Sequence, residues 1–308
     1  MSEGDSIAAR TSNEGHIFAR AGISKRVLGK RAQDRLFKAM MYAFLTSGGA
    51  TMLIPFAWVI STSLKMTGRE FSYPPQLIPH PVVWHNYWEV LFGSARIALL
   101  LGNTAVVTTL TVIGTVLSAS LVAFSFARIP FPGRSFWFMV LLSTMMLPGV
   151  VTIIPRFIVF RDLHWLDTWL PLFVPGFLGG GAFNIFLLRQ FFMSVPLDYD
   201  EAARMDGASS LRVWAQVLLP LAVPALATVA VLTFMDEWGA FMDPLIYISS
   251  YSKQMIGVGL ALFRGMASSR WNLMMAGAFI QIVPALIVFF LAQQYVIRGI
   301  VLTGLAER

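Results

Sequence analysis

What this chain can fold into is limited first by six long stretches that contain no Asp, Glu, Lys or Arg: Ala39–Leu64, Ile97–Ala127, Ser135–Pro155, Thr168–Leu188, Val213–Met235 and Trp271–Ile297. An unpaired charge at the centre of a bilayer costs at least about 2.5 kcal/mol, so charge is kept out of segments that lipid surrounds. Each stretch holds 21 residues or more, and roughly 20 helical residues cover the hydrocarbon core of a membrane. Composition agrees, because 56% of the residues are apolar and 13% charged, where a soluble domain carries roughly 25% charge. These numbers exclude a water-soluble enzyme and a disordered chain. They lead to the expectation of an all-α polytopic membrane protein with six transmembrane helices. With no Cys in the chain, a disulfide framework and a thiolate metal site are excluded as well.

A seventh uncharged run, Phe71–Trp88, contains Pro74, Pro75, Pro79 and Pro81, and no continuous helix survives them. It is expected as an ordered loop outside the membrane, with Trp84, Tyr87 and Trp88 near the headgroups. Residues 236–270 form a second large loop. Six spans leave both termini on one side. The first 38 residues carry eight Lys/Arg without the apolar core of a signal peptide, which puts that side in the cytosol of a multi-pass protein. Within this tail, Ile23–Lys38 interleaves basic and apolar residues, and reads either as a helix lying on an anionic leaflet or as a solvated basic tail. The net charge of +7 follows this topological pattern, and no nucleic-acid motif accompanies it.

Catalytic constellations are lacking. The four His, at 16, 80, 85 and 164, show no zinc-type pairing, so no metal site is expected. Gly29-Lys30-Arg31 lacks the glycine spacing of a phosphate loop, so no cofactor is expected on this chain. The six stretches hold no carboxylate, which speaks against a transporter driven by a coupled ion. Uncharged polar residues within them, Asn103, Thr104, Thr108, Ser143, Thr144, Asn184 and Gln281, are candidates for a solute path, as is the nearby Trp238 for stacking on a ring. Hydrogen bonding between helices is the commoner use of such residues and the favoured reading.

One polar island stands out between the fourth and fifth stretches, from Val195 to Arg212. It reads as two short helices with a break. Asp198 is expected as a helix cap with Glu201 as its reciprocal partner, Gly207 as the left-handed turn, and Ser209 or Ser210 as the next cap. Such a helix suits docking into a groove of another protein, and equally a structured connection between two spans.

The pattern within it tips that balance. Glu201-Ala202-Ala203, three residues, Gly207, nine residues and then Val217-Leu218-Leu219-Pro220 resembles the EAA motif of ATP-binding-cassette (ABC) importer permeases, with Val217 where Ile is usual. In the first loop Leu64-Lys65, Phe71, Pro74-Pro75, Pro79 and Asn86-Tyr87 are similar to the carbohydrate-uptake permeases of the maltose type. So are Asp236-Glu237-Trp238 and Asp243-Pro244-Leu245, although Gly239 replaces the usual Asn, and Gln294–Gly299 near the end, with Gln293-Gln294 in place of a basic pair.

The resemblance covers nearly all of the chain beyond the basic tail. It implies a type I ABC importer permease core over residues 39–304, preceded by the tail 1–38 and followed by a short end, 305–308, with a coupling segment at 196–212. Asp198, Glu201, Ala202, Ala203, Asp206, Gly207, Leu219 and Pro220 would then couple the permease to ATPases. It also implies partners: a second permease subunit, two cytosolic ATPase subunits that bind ATP and Mg, and an external solute-binding protein that Tyr251, Lys253 and Gln254 would meet around a flexible Gly257 and Gly259. A capping role for that loop ranks equally. The setting is a bacterial or archaeal plasma membrane and the solute a sugar, or alternatively glycerol phosphate, a polyol or another small polar solute. A non-transporting membrane scaffold would have no reason to keep the EAA spacing.

Overall fold

The structure is a computed structural model that describes residues 5–93, 96–266 and 270–304, with side chains for 33–93, 96–265 and 270–294. Among the described residues every regular element is helical. The basic side chains Lys25 to Arg31, the closing residues Tyr295 to Gly299 and the end 305–308 lie outside the residues whose side chains are described.

The chain divides into two compact units, Met1–Trp58 and Val59–Arg308. Helix α1 (Asp5–Ser63) occupies the first unit and ends in the second. Its apolar part, Gln33–Ser63, is long enough to cross a bilayer. Phe37, Phe44, Met52 and Leu53 are exposed along it, as expected of a helix whose solvent is lipid.

In the second unit, α2 (His85–Phe92) follows the proline-rich loop, which is irregular as expected. Asn86 on α2 donates to the carbonyls of Ser63 and Lys65 at 2.8 and 2.9 Å, tying the loop's two ends together. Trp84 and Trp88 are exposed, whereas the Tyr87 hydroxyl lies 2.7 Å from Ser63 Oγ.

Helix α3 (Ile97–Arg128) is the spine of this unit. Its buried face carries Asn103, Thr104, Thr108, Thr111, Gly114, Thr115 and Ala119, while Leu99, Val106, Ile113, Leu117 and Leu121 are exposed. Small and polar residues inside with aliphatic ones outside reverse the soluble pattern, because lipid is as apolar as Leu and close backbone approach is what holds spans together.

The six expected spans are present when each of two bent helix pairs is taken as one span. Four candidates cross without a sharp bend: Gln33–Ser63, Ile97–Arg128, Leu170–Ser194 and Trp271–Gln294. The third and fifth are bent pairs. Helix α4 (Arg134–Ser143, with a 3-10 turn to Met146) meets α5 (Gly149–Asp162) at 102°. Leu147 is extended, as a residue before proline is forced to be, and Pro148 starts the new direction. Helix α5 then runs on through Pro155 to Asp162.

The fourth span consists of α6 (Leu170–Phe177) and α7 (Ala182–Ser194), separated by Gly179, Gly180 and Gly181, all with positive φ. Both pack on α3. After the short α8 (Asp198–Met205), the fifth span begins as α9 (Ser210–Leu221) and turns by 81° into α10 (Val223–Trp238). Pro220 has no N–H to give the carbonyl one turn back, and the stretch just before it, Val213–Leu218, widens into a π-helix. Helix α11 (Met242–Tyr247), α12 (Ile256–Met266) and α13 (Trp271–Gly304) complete the chain. One core gathers Ala119, Ala123 and Phe124 of α3, Leu188 and Phe192 of α7, and Val213 to Val229 of α9 and α10.

The second large loop is closed by Asp167, at the turn into α6. Its carboxylate accepts from the Ser249 and Ser250 N–H groups at 3.1 and 2.8 Å, from Ser250 Oγ at 2.7 Å and from Lys253 Nζ at 3.0 Å. These donors, Ser250 Oγ foremost, hold the Asp167 carboxyl well below its usual 3.8. A depressed carboxylate stabilises the folded loop fully above its ordinary pKa and loses that contribution as pH falls through the lower folded one. Corrected amide-exchange protection of Ser249 and Ser250 is therefore expected to be flat from neutrality down to about pH 5, and to drop at neutral pH in Asp167→Asn. Wild-type-like protection in that variant would rule the clamp out.

Candidate functional site

Two places in the second unit gather functional chemistry. The first is α8 and its surroundings at one end of the bundle. Asp198, Asp200 and Glu201 fill its first turn, where the partial positive charge of the helix start favours them. The predicted capping box is not formed. Leu197 occupies the cap position, no side-chain cap bond is made, and Asp198 is already helical. Gly207 does take the left-handed conformation, φ +80°, after the helix ends, and Ser209 caps α9 by accepting the Arg212 N–H at 3.4 Å.

Helix α8 has two faces. Ala203 packs on the core while Glu201, Ala202 and Asp206 are exposed beside Leu197, Tyr199, Met205 and Leu211. The outward side of α8 and its flanks thus carries large apolar side chains edged with carboxylates. Farther on, Leu219 is half-buried and Pro220 exposed at the bend of the fifth span.

The buried face of α8 holds what sequence reading passed over. Asp200 Oδ2 lies 3.2 Å from Arg128 Nε, with the side chains only 6% and 3% exposed. This is a charge contact rather than an aligned hydrogen bond, since Arg128 Nε has no bonded acceptor. Arg128 Nη2 also donates to the Val195 carbonyl at 2.7 Å. Arg128 is the last residue of α3, so the spine of the unit is fastened directly to α8. Nearby, Arg189 Nε donates to the Phe126 carbonyl at 3.3 Å, and its guanidinium sits 4.1 Å above the Phe138 ring. In the sequence Arg128 and Arg189 count only toward the topological charge bias. The one local signal for Asp200 is its place three residues before Ala203, on the same helical face.

The second place is a cleft of about 620 Å³ bounded by α3, α5, the glycine break, α10 and α11. Thr111 and Thr115 face it from the middle of α3, Asn184 from α7, and Thr233, Asp236 and Glu237 from the last turns of α10. Arg156 and Asp243 form a two-pronged pair across it, Nη1 to Oδ2 at 3.3 Å and Nη2 to Oδ1 at 3.4 Å. Carboxyl groups thus stand at the end of the fifth span, just beyond the charge-free stretch read from the sequence.

Of the residues singled out for a solute path, Asn184 alone lines this cleft. Asn103 Nδ2 donates to the Ser252 and Gln254 carbonyls at 2.9 and 3.0 Å, and Thr104 Oγ1 accepts the Ile256 N–H at 2.9 Å. Both are buried glue between α3 and the second loop, the use favoured from the sequence. Thr108 is likewise buried, while Ser143 and Thr144 bond carbonyls three residues back. Trp238 is buried with Nε1 on the Gln281 carbonyl at 2.9 Å, and its ring stacks on Phe234. With Gln281 it lines a smaller, largely apolar pocket of about 320 Å³.

Of the residues read as an external contact, Tyr251 and Lys253 are half-buried, the Lys253 side chain being 45% exposed. Gln254 is buried, donating to the Ile248 carbonyl at 2.7 Å, and Lys253 is paired with Asp167. Gly257 and Gly259 belong to α12 rather than to a flexible loop, and a Cβ on Gly259 would collide with Leu100. Backbone carbonyls left free by the short turns need donors, and these polar side chains supply them.

Comparison with known proteins adds to this geometry. Residues 115–301 match the family described as binding-protein-dependent transport system inner membrane component. The probable ABC transporter permease protein YurM of Bacillus subtilis (strain 168) is 30% identical over 246 residues, covering 80% of this chain and 81% of its own. The sn-glycerol-3-phosphate transport system permease protein UgpE of Yersinia enterocolitica is 33% identical over 271 residues, covering 84% and 94%. Among solved structures, a bacterial ABC transporter involved in the import of the acidic polysaccharide alginate superposes with a TM-score of 0.75 at 26% identity, covering 85% of this chain and 97% of the other.

Proposed function

This chain belongs to the family of binding-protein-dependent transport system inner membrane components, and on that premise we propose that its α8 is the lever through which partner ATPases open and close a solute path. The chain is a multi-pass inner-membrane permease subunit of a type I ABC importer. In this reading it forms half of the pathway, with a second permease subunit as the other half, and both termini and α8 face the cytosol. Two ATPase subunits bind ATP and Mg. An external binding protein delivers the solute.

The observation that carries the reading is the two-faced α8: Glu201 and Ala202 are presented outward, Asp200 is pinned to the end of α3, and α3 passes the cleft. A ligand or partner shifts a conformational equilibrium only by binding its two states differently. ATPase dimers that open and close offer α8 two different surfaces. The pinned α3 conveys that difference to Thr111 and Thr115, and so to the cavity between inward-open and outward-open arrangements.

The solute is a sugar or a closely related polyol, which suits a cleft walled by hydroxyls and carboxyls able to bond several hydroxyl groups. The name of the UgpE relative favours a second reading, glycerol phosphate.

Glu201→Lys reverses an exposed charge without touching the core. In the reconstituted complex, solute uptake and solute-stimulated ATPase activity are expected to fall at least about tenfold, the size of effect of a misplaced charge at a docking surface, while membrane insertion is unchanged. Undiminished transport by Glu201→Lys would overturn the lever.

A further inference from the structure

The short hairpin between α3 and α4 carries chemistry that neither the lever nor the cleft uses. Residues 129–133 join the ends of two spans, so they lie at the membrane surface, at the same end of the bundle as α8, to which Arg128 is fastened. Against the hairpin is a pocket of about 390 Å³, lined by Pro130, Phe131 and Gly133 and by Arg134, Ser135 and Phe136 of α4. The lining holds a cation and no carboxylate. Arg134 is half-buried and, among the described residues, has no ion pair and no side-chain hydrogen bond. A second guanidinium stands close by. Phe138 follows Arg134 by one helical turn, on the same face, and Arg189 sits 4.1 Å above the Phe138 ring. Arg189 donates to a carbonyl, that of Phe126, rather than to a carboxylate. Of the three arginines at this corner, Arg128 alone has an acidic partner among the described residues.

Two guanidinium groups held on one helix face repel each other until an anion joins them, and a guanidinium matches phosphate in both charge and shape. The rest of the surroundings is apolar. Phe136, Met139 and Val140, spaced as neighbours on one face of α4, are all exposed where the helix enters the bilayer. Trp137 is exposed beside them, its ring within reach of the Gly133 position, as an aromatic side chain at headgroup level is. The ligand this suits is negative at one end and apolar along the remainder. We infer that the pocket holds the phosphate of an anionic phospholipid, with Arg134 as its charge partner, Arg189 one turn behind it, and an acyl chain lying along Phe136, Met139 and Val140. From the permease reading the inference takes only the leaflet, the cytosolic one. A free phosphate would leave the apolar face uncovered, and a zwitterionic lipid brings a cation of its own to the arginines.

The test places the complete importer in nanodiscs of phosphatidylcholine doped with phosphatidylglycerol that carries a photoreactive diazirine near the head of one acyl chain, and maps the cross-links by mass spectrometry. A phosphatidylcholine probe with the same chain is the reference. Residues 130–140 are expected to be labelled at least about fivefold more by the phosphatidylglycerol probe, the effect of one basic residue at a membrane surface. Arg134→Gln is expected to lower that preference about fivefold, while Arg212→Gln, which removes an exposed charge farther along the chain, leaves it in place. Equal labelling of residues 130–140 by the two probes in the wild type overturns the inference, and this comparison decides even if Arg134→Gln does not assemble. An assembled Arg134→Gln complex with an unchanged preference also overturns it, as does an equal loss in Arg212→Gln, which would show attraction by the surface as a whole. Inorganic phosphate is expected not to compete with the lipid probe. Abolition of the preference by phosphate would assign the pocket to a free anion and overturn the lipid. None of these outcomes depends on solute uptake, so a failed permease reading is told apart by transport measured on the same complex.

Discussion

Gly180→Val is expected to prevent stable folding of the permease unit, with a loss of roughly 2–5 kcal/mol from two separate sources. Gly180 has φ +68°, a conformation that a β-branched residue reaches only under strain. A Cβ there would stand 2.6 Å from the Thr115 carbonyl oxygen and 2.7 Å from the Ala119 Cβ, with the Ala119 nitrogen at 2.9 Å. Two of these atoms are backbone of α3 and cannot rotate aside as the end of a flexible side chain can. The contact also lies where α6 and α7 pack along α3, so separating them there opens the main helix pairing of the unit. Thermal unfolding in detergent, with recovery of assembled complex, measures the loss. Gly102→Ala is the control, since its Cβ meets open space at an ordinary backbone conformation, and it should be neutral or slightly stabilising. Equal behaviour of the two variants would contradict the packing described.

Arg128→Ala is expected to be nearly as damaging, and to separate coupling from stability. Removing one member of a buried ion pair strands the other charge and costs about 3–5 kcal/mol, whereas replacing both by apolar residues of similar size is often neutral. Asp200 would be stranded, and the Val195 carbonyl would lose its donor. The pair Arg128→Met with Asp200→Leu should therefore recover most of the thermal stability lost in Arg128→Ala, a non-additivity that a double-mutant cycle reads directly. If the pair transmits motion between α8 and α3, solute-stimulated ATPase activity in the double variant should stay well below wild type while stability returns. Recovery of both together would show that the pair acts through stability alone.

Much of the architecture was legible in the sequence because its causes are local. Exclusion of charge from lipid marked the spans, and the two sharp bends fall at Pro148 and around Pro220, residues already visible as helix breakers. The EAA spacing marked α8 and Gly207. The capping box was misread because Leu197 rather than Asp198 takes the cap position, and helix starts shift by a residue at little energetic cost.

Polar side chains were the least legible. Asn103 and Gln254 look alike in the sequence as uncharged polar residues in an apolar setting, yet each spends its donors on carbonyls that only the folded loop brings near. Asn184 has the same chemistry and also gives Nδ2 to a carbonyl, that of Gly180, yet it lines the cleft. What the sequence by itself determined was how many segments meet lipid, where they break, and which short helix is left to dock, since transfer free energy and backbone preference are properties of neighbouring residues. Only the tertiary structure decided that Arg128 would fasten α8 to α3 and that Arg156 would be taken by Asp243. Both are matters of which distant charges come within a few ångströms of each other, and the strength of a charge contact depends on that separation and on the water it excludes.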